Sequence, residues 1–232
     1  MAKYERLSNS LTQSEIFLGW AYLIFEVLLL PNLLFMTNEA LHYPLGTAWL
    51  NFIYFCVNFI AVIILFRQFL GRSVMSLGKN LFKTLKGAFL GFCVYYVSNL
   101  VMTELMNFLF PWFSNINDEN VASLLYLDFY PMLIGTVILV PFTEEVLFRG
   151  LVFQSLYTKN RFLGYLISAG LFGVVHILVY ITTADPLTLA LCFIQYIPAS
   201  LCLAWAYTEA DNIFAPILIH TVINAMGVMA VR

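Results

Sequence analysis

Three short stretches place ionisable or amide side chains inside apolar sequence. TEEVLFRG carries Glu144, Glu145 and Arg149 between the runs MLIGTVILVPF and LVFQSLY. LFGVVHIL carries His176, with Phe172 one turn earlier, and APILIHTVIN carries His220 and Asn224. Helical spacing sorts these groups. Glu145 and Arg149 are four apart, share a face and can neutralise each other. Glu144 points about 100° away and is left free. His220 and Asn224 also share a face. Carboxylates and imidazoles buried in helices can pass protons to and from water, hold zinc, or line an ion path. An ion pair that pins neighbouring helices accounts for Glu145 and Arg149 but not for Glu144. A lone histidine in an apolar helix is more often a satisfied core residue than a catalyst. Two of them, with a free glutamate and an asparagine on three late helices, exceed that explanation. The third histidine, His42, lies in a loop without basic residues and reads as solvated or interfacial.

The elements that must carry these groups are membrane spans. The chain has 232 residues, 62% hydrophobic and only 10% charged, where a soluble domain is nearer ~25% charged. An all-α, polytopic helix bundle forming a single domain over residues 1–232 is expected. Spans need ~20 mostly apolar residues. The expected seven run from about Ser14 to Phe35 (bent at Pro31), Thr47 to Phe66, Gly87 to Phe110, Phe129 to Tyr157, Leu163 to Ile181, Leu187 to Tyr207 and Ile213 to Val231. A break near Pro141 would raise the count to eight. The motif-bearing half is about residues 129–232. Cys56, Cys93, Cys192 and Cys202 lie in apolar runs without disulfide or metal-type spacing. The polar N-terminus MAKYERLSNSLTQSE lacks the apolar core of a signal peptide. The net charge of −2 says little about partners; with no basic domain or nucleic-acid motif visible, no nucleic-acid partner is expected.

The lysines and arginines set an orientation. Lys3 and Arg6 precede the first span, Arg67, Arg72, Lys79, Lys83 and Lys86 follow the second, and Lys159 and Arg161 follow the fourth. The alternate loops TNEALHYPLG, FSNINDEN and TADPLT contain none, and Arg232 alone dissents. The N-terminus is therefore expected in the cytoplasm. In RSVMSLGKNLFKTLKGA, Leu77, Leu81, Phe82 and Leu85 form a stripe with Lys79, Lys83 and Lys86 off it, which predicts one interfacial amphipathic helix. Glu144 and His176 each lie about fifteen residues, roughly 22 Å of α-helix, from the turn near Lys159. With His220 about two turns in from TEADN, the three could converge at mid-membrane or on its cytoplasmic half, and a cavity among the late helices opening toward the cytoplasmic side is expected. Pro141 and Pro216, just ahead of the Glu pair and His220, are expected to kink their helices.

EEVLFR, FGVVH and HTVIN resemble, in order, the EExxxR, FxxxH and HxxxN motifs of the CAAX protease and bacteriocin-processing family, also called the Abi family. The likeness covers Glu144 to Asn224; the N-terminal half matches only as hydrophobic spans. The resemblance implies an intramembrane glutamic endopeptidase without a catalytic metal or other cofactor. It implies that Glu144 is the general base, His176 helps hold the attacking water, and His220 and Asn224 form the oxyanion hole. Glu145 and Arg149, with Phe172, would shape the site. Amide hydrolysis needs such a base and such donors. The implied partners are the lipid bilayer and a peptide or lipidated-protein substrate, in CAAX-type cleavage, peptide processing or bacteriocin self-immunity. The short chain points to a bacterial plasma membrane.

Other functions use the same residues. His176, His220 and a glutamate could hold zinc, although no HExxH motif is present. Glu26 and Glu104 could extend the cluster into an ion path, although the internal repeats common in transporters are absent; an interhelical hydrogen bond or a place near a membrane boundary is their simpler role. A non-catalytic membrane regulator is a further alternative.

Overall fold

The computed structural model describes residues 7–231; Lys3, Arg6 and Arg232 lie outside them. Among the described residues every regular element is helical. The helices are α1 (Gln13–Leu28), α2 (Leu30–Glu39), α3 (Thr47–Leu65), α4 (Arg67–Lys79), α5 (Leu81–Leu109), α6 (Ile116–Leu127), α7 (Phe129–Tyr157), α8 (Arg161–Tyr180), α9 (Pro186–Ala210) and α10 (Phe214–Val231). Six of these described helices are long and apolar enough to cross a membrane; α1 and α2, bent by 46°, make a seventh as a pair. Phe17, Ile24, Ile64, Phe89, Val101 and Phe108 are exposed on their outer faces. So much exposed apolar surface is lipid-facing surface, and the chain is a multi-pass integral membrane protein.

The prolines act differently from one another. The α1–α2 bend falls at Leu29, and Pro31 is in the first turn of α2, where its ring presses on the carbonyl four residues back. The eighth span does not form, because α7 runs continuously through Pro141. It widens to π-helix over Gly135–Leu139 just before the proline, and the wider turn accommodates the missing donor. Pro216 does not kink its helix. It lies in the first turn of α10, where a backbone N–H would have no intrahelical partner anyway.

The single amphipathic helix expected around residues 72–88 is also corrected. The chain breaks at Asn80, which leaves helical geometry (φ −126°, ψ 32°). Leu81, Phe82, Lys83, Leu85 and Lys86 belong to the start of α5. Nor does α4 float at the interface. Its Phe69, Leu70 and Ser73 are buried, and Glu15 Oε1 accepts from Phe69 N at 2.7 Å. Asn9 donates to Phe69 O at 2.9 Å and Ser73 Oγ at 2.7 Å.

Close packing joins the two halves. Gly87 and Gly91 of α5 face Ala210 and Ala206 of α9, and small residues four apart let helix backbones approach. A Cβ on Gly91 would stand 2.6 Å from Ala206 Cβ and 2.7 Å from Ile219 Cδ1. Gly91→Ala should therefore force the seam apart and destabilise the protein by about 1–3 kcal/mol. Unfolding in detergent checks this; an unchanged midpoint would show that the seam yields freely.

Candidate active site

The site is built on α7, the most buried of the spans. Its residues Val146–Phe153 form a second π-helical stretch, and all of them are buried. Such stretches re-aim side chains and recur at functional sites. Glu145 and Arg149, both 0% exposed, pair as spacing predicted, with Arg149 Nη1 donating to Glu145 Oε1 at 3.0 Å. The pair is also tied to other helices. Arg149 Nη2 donates to Ser200 O (3.2 Å) and Oγ (2.9 Å) on α9. The guanidinium lies 4.4 Å over the Phe172 ring, a cation–π contact. His220 Nδ1 meets Glu145 Oε1 at 2.7 Å.

Glu144 points elsewhere, as its helical position requires. Its Oε2 stands 3.9 Å from His176 Nε2 and 3.9 Å from His220 Nε2. That oxygen is buried and has no hydrogen-bond partner among the described residues. The gap is too long for a direct hydrogen bond and suits a bridging water. The other ring nitrogens fix the tautomers. His176 Nδ1 donates to Phe172 O at 2.7 Å, since a carbonyl can only accept. Neutral His176 thus turns a bare Nε2 toward Glu144. His220 likewise donates from Nδ1 to the Glu145 carboxylate. Its Nε2 becomes a donor only when the ring takes a second proton, whose charge Glu145 sits beside to balance.

Glu144, Glu145, Arg149, Phe172, His176 and His220 therefore come together from α7, α8 and α10. Asn224 stands one turn farther along α10 and donates from Nδ2 to Thr136 O at 2.8 Å. That bond fastens α10 to the first π-helical stretch and leaves Asn224 one amide hydrogen. Among the described residues no group of three or more His, Cys, Asp and Glu is arranged to hold a metal ion.

Two parts of the surroundings extend the cluster beyond the motif residues. Glu26 on α1 accepts from Tyr54 OH on α3 at 3.3 Å, its second oxygen is buried without a hydrogen-bond partner among the described residues, and it lies within the field of the Glu144 carboxylate. The N-terminal half thus contributes a carboxylate beside the site, whereas Glu104 is exposed on α5. Only tertiary packing could distinguish these two acids. The other part is α6, read as loop from FSNINDEN. Tyr196 stacks on His176 with ring centroids 4.2 Å apart. Tyr196 OH takes a bond from Asn117 Nδ2 at 3.1 Å and lies 3.4 Å from both Asn115 Oδ1 and Asp118 Oδ1. Asn115 also reaches Gln195 (2.8 Å), and Tyr180 OH reaches Asn117 (3.4 Å). Neighbouring protein displaces water from the Asp118 carboxyl and raises its pKa, against the opposing pull of His176 and the Tyr196 hydroxyl.

On the side of the Lys159 turn, the Glu145–Arg149 pair is followed by packed rings of Phe153, Tyr157, Tyr165 and Tyr207. On the other side, polar side chains continue from His176 by way of Tyr196 to α6. Counting residues along straight helices placed the groups at similar depth but could not say which neighbours would be aromatic.

Residues 126–226 match the family described as "Type II CAAX prenyl endopeptidase Rce1-like". This segment is similar to Rce1-like domains. It holds every residue from Glu144 to Asn224, and leaves Glu26, Tyr54 and the N-terminal part of α6 outside. The chain is 28% identical over 95 residues to "UPF0177 protein YxdF" of Lactococcus lactis subsp. lactis (strain IL1403), a match covering 41% of this chain and 47% of that protein. It is 34% identical over 99 residues to "Putative membrane peptidase YdiL" of Bacillus subtilis (strain 168), covering 42% of this chain and 36% of that protein. The matches thus span less than half of either relative. No solved structure matches the chain.

Proposed function

We propose that this protein is an intramembrane peptidase that hydrolyses a peptide bond with a water activated by Glu144, in a membrane-associated peptide or lipidated protein. One observation carries the proposal: a carboxylate oxygen without a hydrogen-bond partner among the described residues faces two histidine Nε2 atoms from different helices at 3.9 Å. A water in that gap donates one hydrogen to Glu144 Oε2 and the other to the bare His176 Nε2. Its lone pair is then free for a carbonyl carbon. As the water oxygen bonds to that carbon, Glu144 takes the proton. Negative charge gathers on the former carbonyl oxygen, where protonated His220 offers its Nε2–H and Asn224 its remaining amide hydrogen. When the C–N bond breaks, Glu144 returns the proton to the leaving nitrogen. Fixed donors in a site closed on one side by packed rings are worth a few kcal/mol each at that step. The Rce1-like segment and the name of the Bacillus relative support a peptidase. We place the protein in a bacterial plasma membrane with its N-terminus in the cytoplasm, following the charge bias of the loops.

The mechanism uses no metal. Purified protein in liposomes, assayed by mass spectrometry on a peptide library, should cleave equally well, within about twofold, after exhaustive chelation, because no step waits on a metal-bound water. Activity lost on chelation and recovered with zinc would replace this mechanism by the metal-dependent one.

A further inference from the structure

We propose that Tyr196 is a positioning residue for His176, and that the first turn of α6 acts on turnover by holding Tyr196 in place. The inference rests on the peptidase reading above and adds residues that act through His176 without touching the substrate.

The task of His176 is directional. Its Nδ1 donates to Phe172 O at 2.7 Å, so its bare Nε2 faces Glu144 Oε2 at 3.9 Å. A small swing of the ring would carry that lone pair off a water held between them. The single bond at Nδ1 fixes one point of the ring and leaves the ring free to tilt about it. Two aromatic rings restrict the tilt. The centroid of Phe172 lies 4.5 Å from that of His176, and the centroid of Tyr196 lies 4.2 Å from it. Phe172 and Tyr196 are themselves 6.3 Å apart, so they corner the imidazole rather than sandwich it. Loss of either wall would open one side.

The two walls are anchored differently. Phe172 is held from within the site, under the Arg149 guanidinium at 4.4 Å and edge-on to Phe148 at 5.3 Å. Tyr196 is held from α6. Asn117 Nδ2 donates to Tyr196 OH at 3.1 Å, and Asn117 Oδ1 accepts from Tyr180 OH at 3.4 Å. One amide thus ties α9 to the short 3-10 turn Leu178–Tyr180 that ends α8 just beyond His176. Asn115 adds a second tie beside it, donating to Gln195 Oε1 at 2.8 Å. An amide with both halves engaged resists a shift between its partners, because the shift would break hydrogen bonds. The tie therefore joins the two elements whose rings meet at His176.

The test compares Tyr196→Leu, Tyr196→Phe and Asn117→Ala with wild type in detergent. Each is assayed by steady-state cleavage of a library peptide and by NMR of protein carrying isotope-labelled histidine. The chain has only three histidines, so each imidazole can be followed, and its nitrogen shifts report its tautomer. Tyr196→Leu removes one wall and should cut kcat about tenfold or more, as small misplacements of catalytic groups do, with KM within about twofold of wild type. The His176 signals should pass from the Nδ1–H form to a mixture, while those of His42 and His220 stay. Tyr196→Phe and Asn117→Ala keep the ring and lose a hydrogen bond, so kcat should fall about threefold with a smaller change at His176. Unchanged kcat and unchanged His176 signals in Tyr196→Leu overturn the inference; if that variant does not fold, the other two decide in the same way. Equal changes at His176 and His220, or a raised KM with kcat unchanged, would make Tyr196 a packing or binding residue and overturn it too. Wild-type protein that cleaves nothing overturns the peptidase reading, while the His176 signals still decide whether Tyr196 holds the ring.

Discussion

Glu144→Gln should abolish peptide cleavage while leaving a folded, inserted protein. Glutamine keeps the shape of the side chain and cannot take a proton from water. A positioned general base contributes roughly 10²–10⁴-fold, so kcat should fall by that factor, about 3–5 kcal/mol of barrier. Folding should be spared because Glu144 makes no direct hydrogen bond to the histidines at 3.9 Å and its side chain is 21% exposed. Substrate binding should change little, so KM stays near wild type. Turnover by the purified variant, measured beside its unfolding midpoint, separates the two effects. Undiminished turnover would remove Glu144 as the base. Loss of turnover together with loss of fold would mean that Glu144 is structural, the role assigned here to its neighbour.

The division of labour between adjacent glutamates was legible in the sequence because it depends on one local fact, the 100° step between neighbouring helical residues. So was the Glu145–Arg149 bond, a contact four residues apart. The spans were legible from their length and apolarity, and α3, α7 and α10 begin or end within a residue or two of expectation. What was missed depends on packing between distant segments. α6 contains Asn117, Asp118, Glu119 and Asn120 in its first turns, a composition that fits a loop until Asn115 caps it by accepting from Asn117 N and Asp118 N. Glu26 makes the interhelical hydrogen bond expected of it, but nothing local named Tyr54 as its partner or Glu144 as its neighbour. His220 and Asn224 share a helical face, as spacing required, yet they serve different neighbours, Glu145 and Thr136. The π-helical stretches of α7 are invisible to a period of 3.6 and alter which side chains face the centre. Depth along a helix is a one-dimensional count, whereas access is set by what packs beside it.

Arg149→Met should destabilise the protein by about 3–5 kcal/mol, because it leaves the Glu145 carboxylate buried without its cation. Both side chains are fully buried, so water cannot screen the remaining charge. The substitution also strips Ser200 of its two bonds from Arg149 and Phe172 of its cation. A second change tests whether the charge is the cause. In Glu145→Gln with Arg149→Met the stranded charge is gone, and the amide oxygen introduced at position 145 can still accept from His220 Nδ1. The double variant should therefore recover part of the loss, with a coupling of about 1–3 kcal/mol in a double-mutant cycle. Chemical unfolding in detergent measures all four proteins. Additive losses would mean that Arg149 contributes chiefly through Ser200 and Phe172. Activity should not return with stability. Without the Glu145 carboxylate, nothing at Nδ1 balances a second proton on His220, and that proton is what makes Nε2 a donor. A stable double variant with little turnover would thus separate the two tasks of Glu145: neutralising Arg149 in the fold, and holding His220 ready for the charge that develops during cleavage.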